Sequence, residues 1–326
     1  MDQKLAICTQ SMGWHPSHTL EEKIKAAHNA GIKGFELNMI DVENFADRHS
    51  KSQLEAAKDI SALCKSADIE VFALTSLVNF EGAPTPLDGR LKTAGEWMDA
   101  ARELDCRVLQ IPSNFSKDAI GDEAIIVGEL RALADMGSRR DPPVSIAYEA
   151  LAWGLHVADW EESLRVVNLV DRANFGLCLD TYHVLARVWA DPSTVSGVRP
   201  GAASALRDTI ERFRSTCPPE KIIYVQLCDG EKMSPPILPG HPTYREDKAA
   251  THSWCMYGRI FPLEVEEGAY FPMEEILRAW LVESGWNGWV SMETFHRDME
   301  KEEFGPKIWA ERATKSWDRV MKLLQT

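Results

Sequence analysis

A single (β/α)8 TIM barrel, an α/β architecture closed from eight parallel strands, is the fold class this sequence predicts. Three observations predict it. Short apolar runs alternate strictly with amphipathic helical stretches, eight times along the chain. Parallel strands need a crossover element between them, so this alternation implies a parallel sheet. No composition break divides the 326 residues, and barrels of this class run well over 250 residues as one domain, so residues 1–326 are read as one unit. The first apolar run leads into TQSMGWHP, with neither GxGxxG nor a Walker pattern, which weighs against an open doubly wound sheet.

The elements follow in order. Strand 4–9 precedes helix 20–30, which Gly31 closes as a C-terminal cap. Strand 34–39 precedes helix 53–67, strand 70–77 precedes helix 91–104, and strand 107–113 precedes helix 123–136. Strand 144–151 is followed by helix 160–170, strand 175–182 by helix 202–214, and strand 289–295 by helix 308–324. The unit of strand 221–228 and helix 273–283 is irregular, because residues 229–272 lie between them. This long segment is rich in Pro, Gly and aromatics, as in SPPILPGHPTY and HSWCMYGRIFP. Loops of this length inside compact domains are usually functional or disordered, and this aromatic density favours an ordered lid over the barrel mouth. The alternative is a surface arm for subunit contact in a homo-oligomer.

Composition excludes several classes. Charged residues are 26% and hydrophobic ones 44%, a globular balance. A net charge of −14 argues against a nucleic-acid partner. No apolar run approaches the ~20 residues of a membrane span, and MDQKLAICTQ lacks a signal-peptide core, so no membrane association is expected. Seven cysteines without a CxxC pair read as buried, reduced thiols in a cytoplasmic protein.

Barrel enzymes carry their chemistry at the C-terminal ends of the strands. The fifth to eighth strands end in AYEAL, LCLDTYH, YVQLCD and VSMETF, offering Glu149, Asp180, Gln226 and Glu293. Side chains alternate faces along a strand, so if the flanking apolar residues face the helices, these four converge at the mouth. Carboxylates buried together without a cation are very costly. Three carboxylates and an amide oxygen suit a hard divalent ion, Mg2+ or Mn2+, with Co2+ able to substitute. His183, three residues past Asp180 on the turn leaving its strand, is the expected proton-transfer group. Arg259, in MYGRIFP, suits the clamping of a carboxylate, and Lys232 is a second anion contact. Glu36 and Asn38 share one parity at the end of the second strand and are expected to line the pocket. His156, His241, His252 and His296 lie on loops after late strands, and His252, within the long segment, is taken as substrate-binding.

With these residues in place the chain resembles the xylose-isomerase-like superfamily. Its segments IPSNF, YEALAWG, NFGLCLDTYHV, YVQLCDGEK, LPGHPTY and GWVSMETFHR resemble fungal and bacterial 3-dehydroshikimate dehydratases along almost the whole chain. Where many barrel relatives carry a PGEG-like stretch, this chain reads FPLEVEEG. The resemblance implies a hydro-lyase acting on a small, carboxylated cyclic ketone. It also implies a divalent metal on Glu149, Asp180, Gln226 and Glu293, with His183 in proton transfer and protocatechuate as product of quinate or shikimate catabolism. The alternative on the same barrel is a metal-dependent sugar or cyclitol isomerase or epimerase. A DNA-repair endonuclease would need a histidine-rich zinc site and a basic groove. A non-catalytic barrel would be expected to lose one of the four ligands.

Overall fold

The computed structural model describes residues 3–325. Eight parallel strands close into a barrel: β1 (Lys4–Cys8), β2 (Gly34–Asn38), β3 (Glu70–Thr75), β4 (Val108–Pro112), β5 (Ser145–Glu149), β6 (Phe175–Asp180), β7 (Ile222–Leu227) and β10 (Trp289–Met292). Each strand pairs with its neighbours in sequence, and β10 closes the ring between β7 and β1. The short strands β8 (Asp229–Gly230) and β9 (Arg259–Ile260) form a separate antiparallel pair in the long segment.

Around the barrel run α1 (Leu20–Ala30), α2 (Met39–His49), α3 (Gln53–Ser66), α4 (Leu87–Glu103), α5 (Glu123–Ser138), α6 (Trp160–Val170), α7 (Thr181–Val188), α8 (Ala202–Thr216), α10 (Met273–Arg278) and α11 (Pro306–Gln325). Helix α9 (Ala250–Tyr257) lies in the long segment. Their starts are fixed by side chains that satisfy the free N–H groups of a first turn. Thr19 accepts from Glu22 N–H, Asp122 from Ala124 and Ile125, and Ser52 with Glu55 closes a reciprocal capping box. Among the described residues, no helix is long and apolar enough to cross a membrane.

Three helices, α2, α7 and α9, fall where the sequence predicts none. Both α2 and α7 start directly at a strand end, where the sequence reading extended the strands to 39 and 182. The reason is local capping: Asn38 Oδ1 accepts from Ile40 N–H, and Asp180 Oδ1 accepts from Tyr182 N–H at 2.7 Å. No glycine or proline punctuates either junction, so the change of period is abrupt.

The strand register sets the depth of every inward side chain. Asp180 aligns with Gln226, Gln226 with Ser291, Glu149 with Cys178, and Cys8 with Glu36. One level down, Ala6, Phe72, Ala73, Ala147, Cys178 and Tyr224 fill the barrel. Phe72 stacks on Trp289 with ring centres 5.3 Å apart and meets Tyr224 edge-on at 5.2 Å. Gly34 leaves room for that tryptophan, since a Cβ there would sit 2.5 Å from the indole. The apolar residues of opposite parity, such as Ile7, Leu109, Leu177, Val225 and Met292, pack outward into the main core with the helices.

The 229–272 segment is pinned at its base by Asp229. Its Oδ1 accepts from the N–H groups of Gly230, Tyr270 and Phe271, and its Oδ2 from Leu263 N–H. Trp254 of α9 is fully buried and donates to the Glu231 carbonyl. Tyr182 Oη donates to the Thr251 carbonyl at 2.6 Å. These ties lay α9 over the mouth against the start of α7 and deliver Arg259 into it.

Candidate active site

Glu149, Asp180, Gln226 and Glu293 are all buried at the C-terminal mouth, together with Glu36 and His183. Glu149 Oε2 accepts from Gln110 Nε2 at 2.5 Å, while its Oε1 has no hydrogen-bond partner among the described residues. Glu36 Oε1 accepts from Tyr224 Oη at 2.7 Å and Gln226 Nε2 at 2.8 Å, while its Oε2 has no hydrogen-bond partner among the described residues, with the Ser291 hydroxyl close by. The Gln226 Oε1 accepts from the Cys178 thiol. Among the described residues, two sets of three ligand atoms lie within 4.8 Å of one another: Glu149, Asp180 and His183, and Cys8, Glu36 and Glu293.

Burial raises the pKa of Glu36, Glu149, Asp180 and Glu293, because charge is poorly solvated there. For Glu149, the charges of Glu293 and Asp180 raise it further. Four acids gathered around one guanidinium leave negative charge uncompensated, and two of their oxygens accept nothing. That donor set fits a divalent cation, which would supply the missing positive charge.

The structure brings Arg259 into this cluster. It is fully buried, with Nη2 2.6 Å from Asp180 Oδ2 and Nη1 3.0 Å from Glu293 Oε2. Its Nε donates to Cys228 Sγ, and its face packs on Tyr182 and Phe295, 5.0 and 5.2 Å from the ring centres. Arg259 therefore bridges two residues of the expected metal set.

His183 lies in the first turn of α7 rather than on an irregular turn. The Ala152 N–H donates to its Nδ1 at 3.0 Å, so the neutral ring carries its proton on Nε2. That nitrogen faces Glu149 Oε1 at 3.5 Å and Asp180 Oδ2 at 3.6 Å. Burial first, then the Arg259 charge, holds the His183 pKa well below the ordinary value, so the ring is neutral.

The other expected contacts lie outside this cluster. Lys232 is exposed, its N–H donating to the Gly268 carbonyl. Asn38 caps α2. His252 sits on α9 in a parallel stack with Trp153, ring centres 4.5 Å apart, and burial lowers its pKa to about 4. His156 Nε2–H donates to the Ala119 carbonyl, and His296 faces Glu231 and Asp298, so neither joins the carboxylate cluster at the mouth.

Sequence reasoning missed Cys8, Gln110 and Trp153. Cys8 ends β1 with the same parity as Ala6, and this signal was available. Trp153 stands four residues past Glu149 in YEALAWG, where nothing but a tertiary contact marks it. Nearby, Glu81 is buried between the Asn114 N–H and Tyr148 Oη, which donate to its Oε1 at 2.6 and 2.9 Å. Burial pushes its pKa up to about 7.

Residues 24–322 match the family described as xylose isomerase-like TIM barrel. A 3-dehydroshikimate dehydratase of Neurospora crassa is 36% identical over the full chain and 95% of its own length. A 3-dehydroshikimate dehydratase of Pseudomonas aeruginosa is 29% identical over 86% of this chain, which spans only 37% of that longer protein. In three dimensions the chain is similar to a xylose isomerase-like TIM barrel/4-hydroxyphenylpyruvate dioxygenase fusion protein. That match has a TM-score of 0.77 and 24% identity, and covers 99% of this chain and 44% of the other.

Proposed function

This chain belongs to the xylose isomerase-like TIM barrel family, and from that premise we propose that it dehydrates 3-dehydroshikimate to protocatechuate as a hydro-lyase. The observation that carries the reading is full-length similarity to a fungal enzyme of that name, joined to a buried carboxylate cluster at the barrel mouth. The substrate is a small ring bearing a ketone, a hydroxyl on the adjacent carbon, a second hydroxyl beyond it, and a carboxylate. We place the reaction in the cytoplasm, in quinate or shikimate catabolism; all seven cysteines are free and buried, in keeping with a reducing compartment.

The residues proposed to hold a divalent ion, Mg2+ or Mn2+, are Glu149, Asp180, Gln226 and Glu293, a hard oxygen set. When bound, such an ion polarises the ketone as a Lewis acid and stabilises the charge that develops on its oxygen. The side chains do the rest. Glu36 Oε2, buried and without a hydrogen-bond donor among the described residues, takes the proton α to the ketone; burial makes it a stronger base than an ordinary carboxylate. His183, neutral with its proton on Nε2, donates a hydrogen bond to the departing β-hydroxyl rather than acting as a base. The proton gathered by Glu36 leaves with that hydroxyl as water. A final shift of a ring proton to oxygen completes the aromatic diol, and aromatisation drives the reaction forward.

Arg259 holds Asp180 and Glu293 in place and offers its remaining N–H to the substrate carboxylate. The 229–272 segment acts as the lid that shuts water from the site. The test is direct: purified protein, 3-dehydroshikimate and Mg2+ or Mn2+, with the product followed by its absorbance and mass. Formation of an aromatic acid 18 mass units lighter, abolished by chelation, is expected. Turnover of a ketose with no aromatic product would replace this reading with an isomerase or epimerase.

A further inference from the structure

Trp153 lies in the loop between β5 and α6, next to the residue whose N–H fixes the His183 tautomer. One edge of the Trp153–His183 pair meets at 65°, with ring centres 5.0 Å apart. On another side the indole stacks flat on His252 of α9, 4.5 Å between centres and 3° from parallel. Phe115 also meets His252 edge-on, with ring centres 5.6 Å apart. The Trp153 ring thus touches both the group expected to handle the leaving hydroxyl and the helix that covers the mouth. Its Nε1–H is buried and has no acceptor among the described residues. A buried donor left unpaired is unfavourable, and indole N–H groups in folded proteins usually find a partner.

We propose that Trp153 is the positioning residue of this site: it seats α9 through His252, holds the His183 ring in register, and keeps its indole N–H for an oxygen of the bound substrate. Trp254, Phe115 and the Tyr182–Thr251 hydrogen bond also hold α9, and the His252 stack is the contact that joins it to the ring packed on His183. Without the indole, His183 keeps the Ala152 N–H on Nδ1, the longer Nε2 contacts to Glu149 and Asp180 at 3.5 and 3.6 Å, and the edge of Tyr182, 5.4 Å between ring centres, but loses the packing on its indole side. The proposal rests on the dehydratase reading only for the identity of the substrate.

The experiment has two arms. The first needs no turnover: trypsin cleavage at the exposed Arg245 and Lys248, which lead into α9, is timed for wild type, Trp153→Phe, Trp153→Ala and His252→Ala. Both alanine variants are expected to be cut several-fold faster, with Trp153→Phe in between, while circular dichroism shows the barrel intact. In the second arm, with 3-dehydroshikimate, Trp153→Phe keeps a ring but lacks the N–H. Its KM should rise by about 3- to 10-fold, the size of one neutral hydrogen bond. Trp153→Ala should also lose about 10- to 100-fold in kcat, the scale of a misplaced catalytic group, and Trp153→Phe should recover most of that loss. Wild-type cleavage and wild-type kcat in Trp153→Ala would overturn the proposal. If wild type makes no aromatic acid, the dehydratase reading fails, and the trypsin arm still decides whether Trp153 seats α9.

Discussion

Along β6, Cys178 and Asp180 face the same barrel interior one pleat apart, and along β7 Tyr224 and Gln226 do the same. The lower level is a plug of Ala6, Phe72, Ala73, Ala147, Cys178 and Tyr224, bounded below by Trp289. The upper level holds Glu36, Glu149, Asp180, Gln226 and Glu293. Both levels are almost entirely buried, yet their energetics are opposite. The plug gains from removing apolar surface from water and from aromatic contacts. The upper level strips water from four acids and returns one arginine, a few hydrogen bonds and two orphaned oxygens. One set of strands thus carries a layer that stabilises the barrel beneath a layer that burdens it. Burden of that kind at a strand end is a mark of function.

The largest expected effects separate the two layers by sign. Glu149→Gln removes one of several crowded carboxylates and leaves an amide that can still pair with Gln110. In chelator, its stability toward denaturant should equal or exceed wild type by about 1–3 kcal/mol, because like charges in one buried site oppose each other. Its turnover should fall by about 10²–10³-fold through loss of a proposed ligand of the ion that would stabilise the developing charge. Phe72→Ala should do the reverse. It should cost about 3–5 kcal/mol as a large core side chain is deleted, while the folded fraction keeps its chemistry. A Glu149→Gln protein that is both inactive and strongly destabilised would mean that the upper layer supports the barrel.

Glu81 extends the comparison to a carboxylate outside the cluster. Its pKa is raised by burial from the usual 4.5 to about 7 in the folded protein. The native state therefore holds a proton between those values that the unfolded state has lost. Stability contributed by this group is full below about pH 4.5 and falls as pH rises toward 7. The difference corresponds to about 3 kcal/mol at 1.36 kcal/mol per pKa unit. Glu81→Gln keeps an acceptor for the Asn114 N–H and Tyr148 Oη without the titration. Thermal melts at pH 5 and pH 8 should show wild type losing ground to the variant at the higher pH. Parallel melts at both values would place the Glu81 titration elsewhere.

How much of this was legible in the sequence follows the range of the forces involved. Strand parity acts over two residues, and it is enough to bring Glu149, Asp180, Gln226 and Glu293 to one buried mouth, while their role as ligands is a proposal. The strand-helix alternation was equally local and led to the closed barrel. What failed locally were α2 and α7, because Asn38 and Asp180 serve at once as strand ends and as helix caps. The place of Arg259 was hidden for another reason. Its partner Asp180 is 79 residues away, and only the Asp229 anchor and the β8–β9 pair bring them together. Trp153 was hidden in the same way, since its importance lies in contacts made by α9, about a hundred residues later.

The smallest effect probes the seam between the layers. Cys178 belongs to the plug by its packing, yet its thiol donates to Gln226 Oε1 at 3.1 Å. Burial raises the Cys178 pKa well above the usual thiol value, with the charges of Glu149 and Glu36 adding to it, so the sulfur stays protonated as a donor. Cys178→Ala removes that hydrogen bond and a little volume while sparing every carboxylate. The loss of one neutral hydrogen bond amounts to about 0.5–1.5 kcal/mol. If the two layers are independent, denaturant titration should register that cost in full, while the apparent affinity for Mn2+, read by calorimetry, stays within about twofold. If the thiol orients the amide oxygen for a metal, the pattern inverts: stability barely changes and Mn2+ affinity falls by the same free energy, about 3- to 10-fold. The second partition is expected, because the Cys178 thiol on Oε1 and Glu36 on Nε2 are the two contacts that fix which way the Gln226 amide faces. Cys178→Ser, which keeps a hydroxyl donor at the same position, should then restore the affinity lost in the alanine variant; failure to restore it would return Cys178 to the plug.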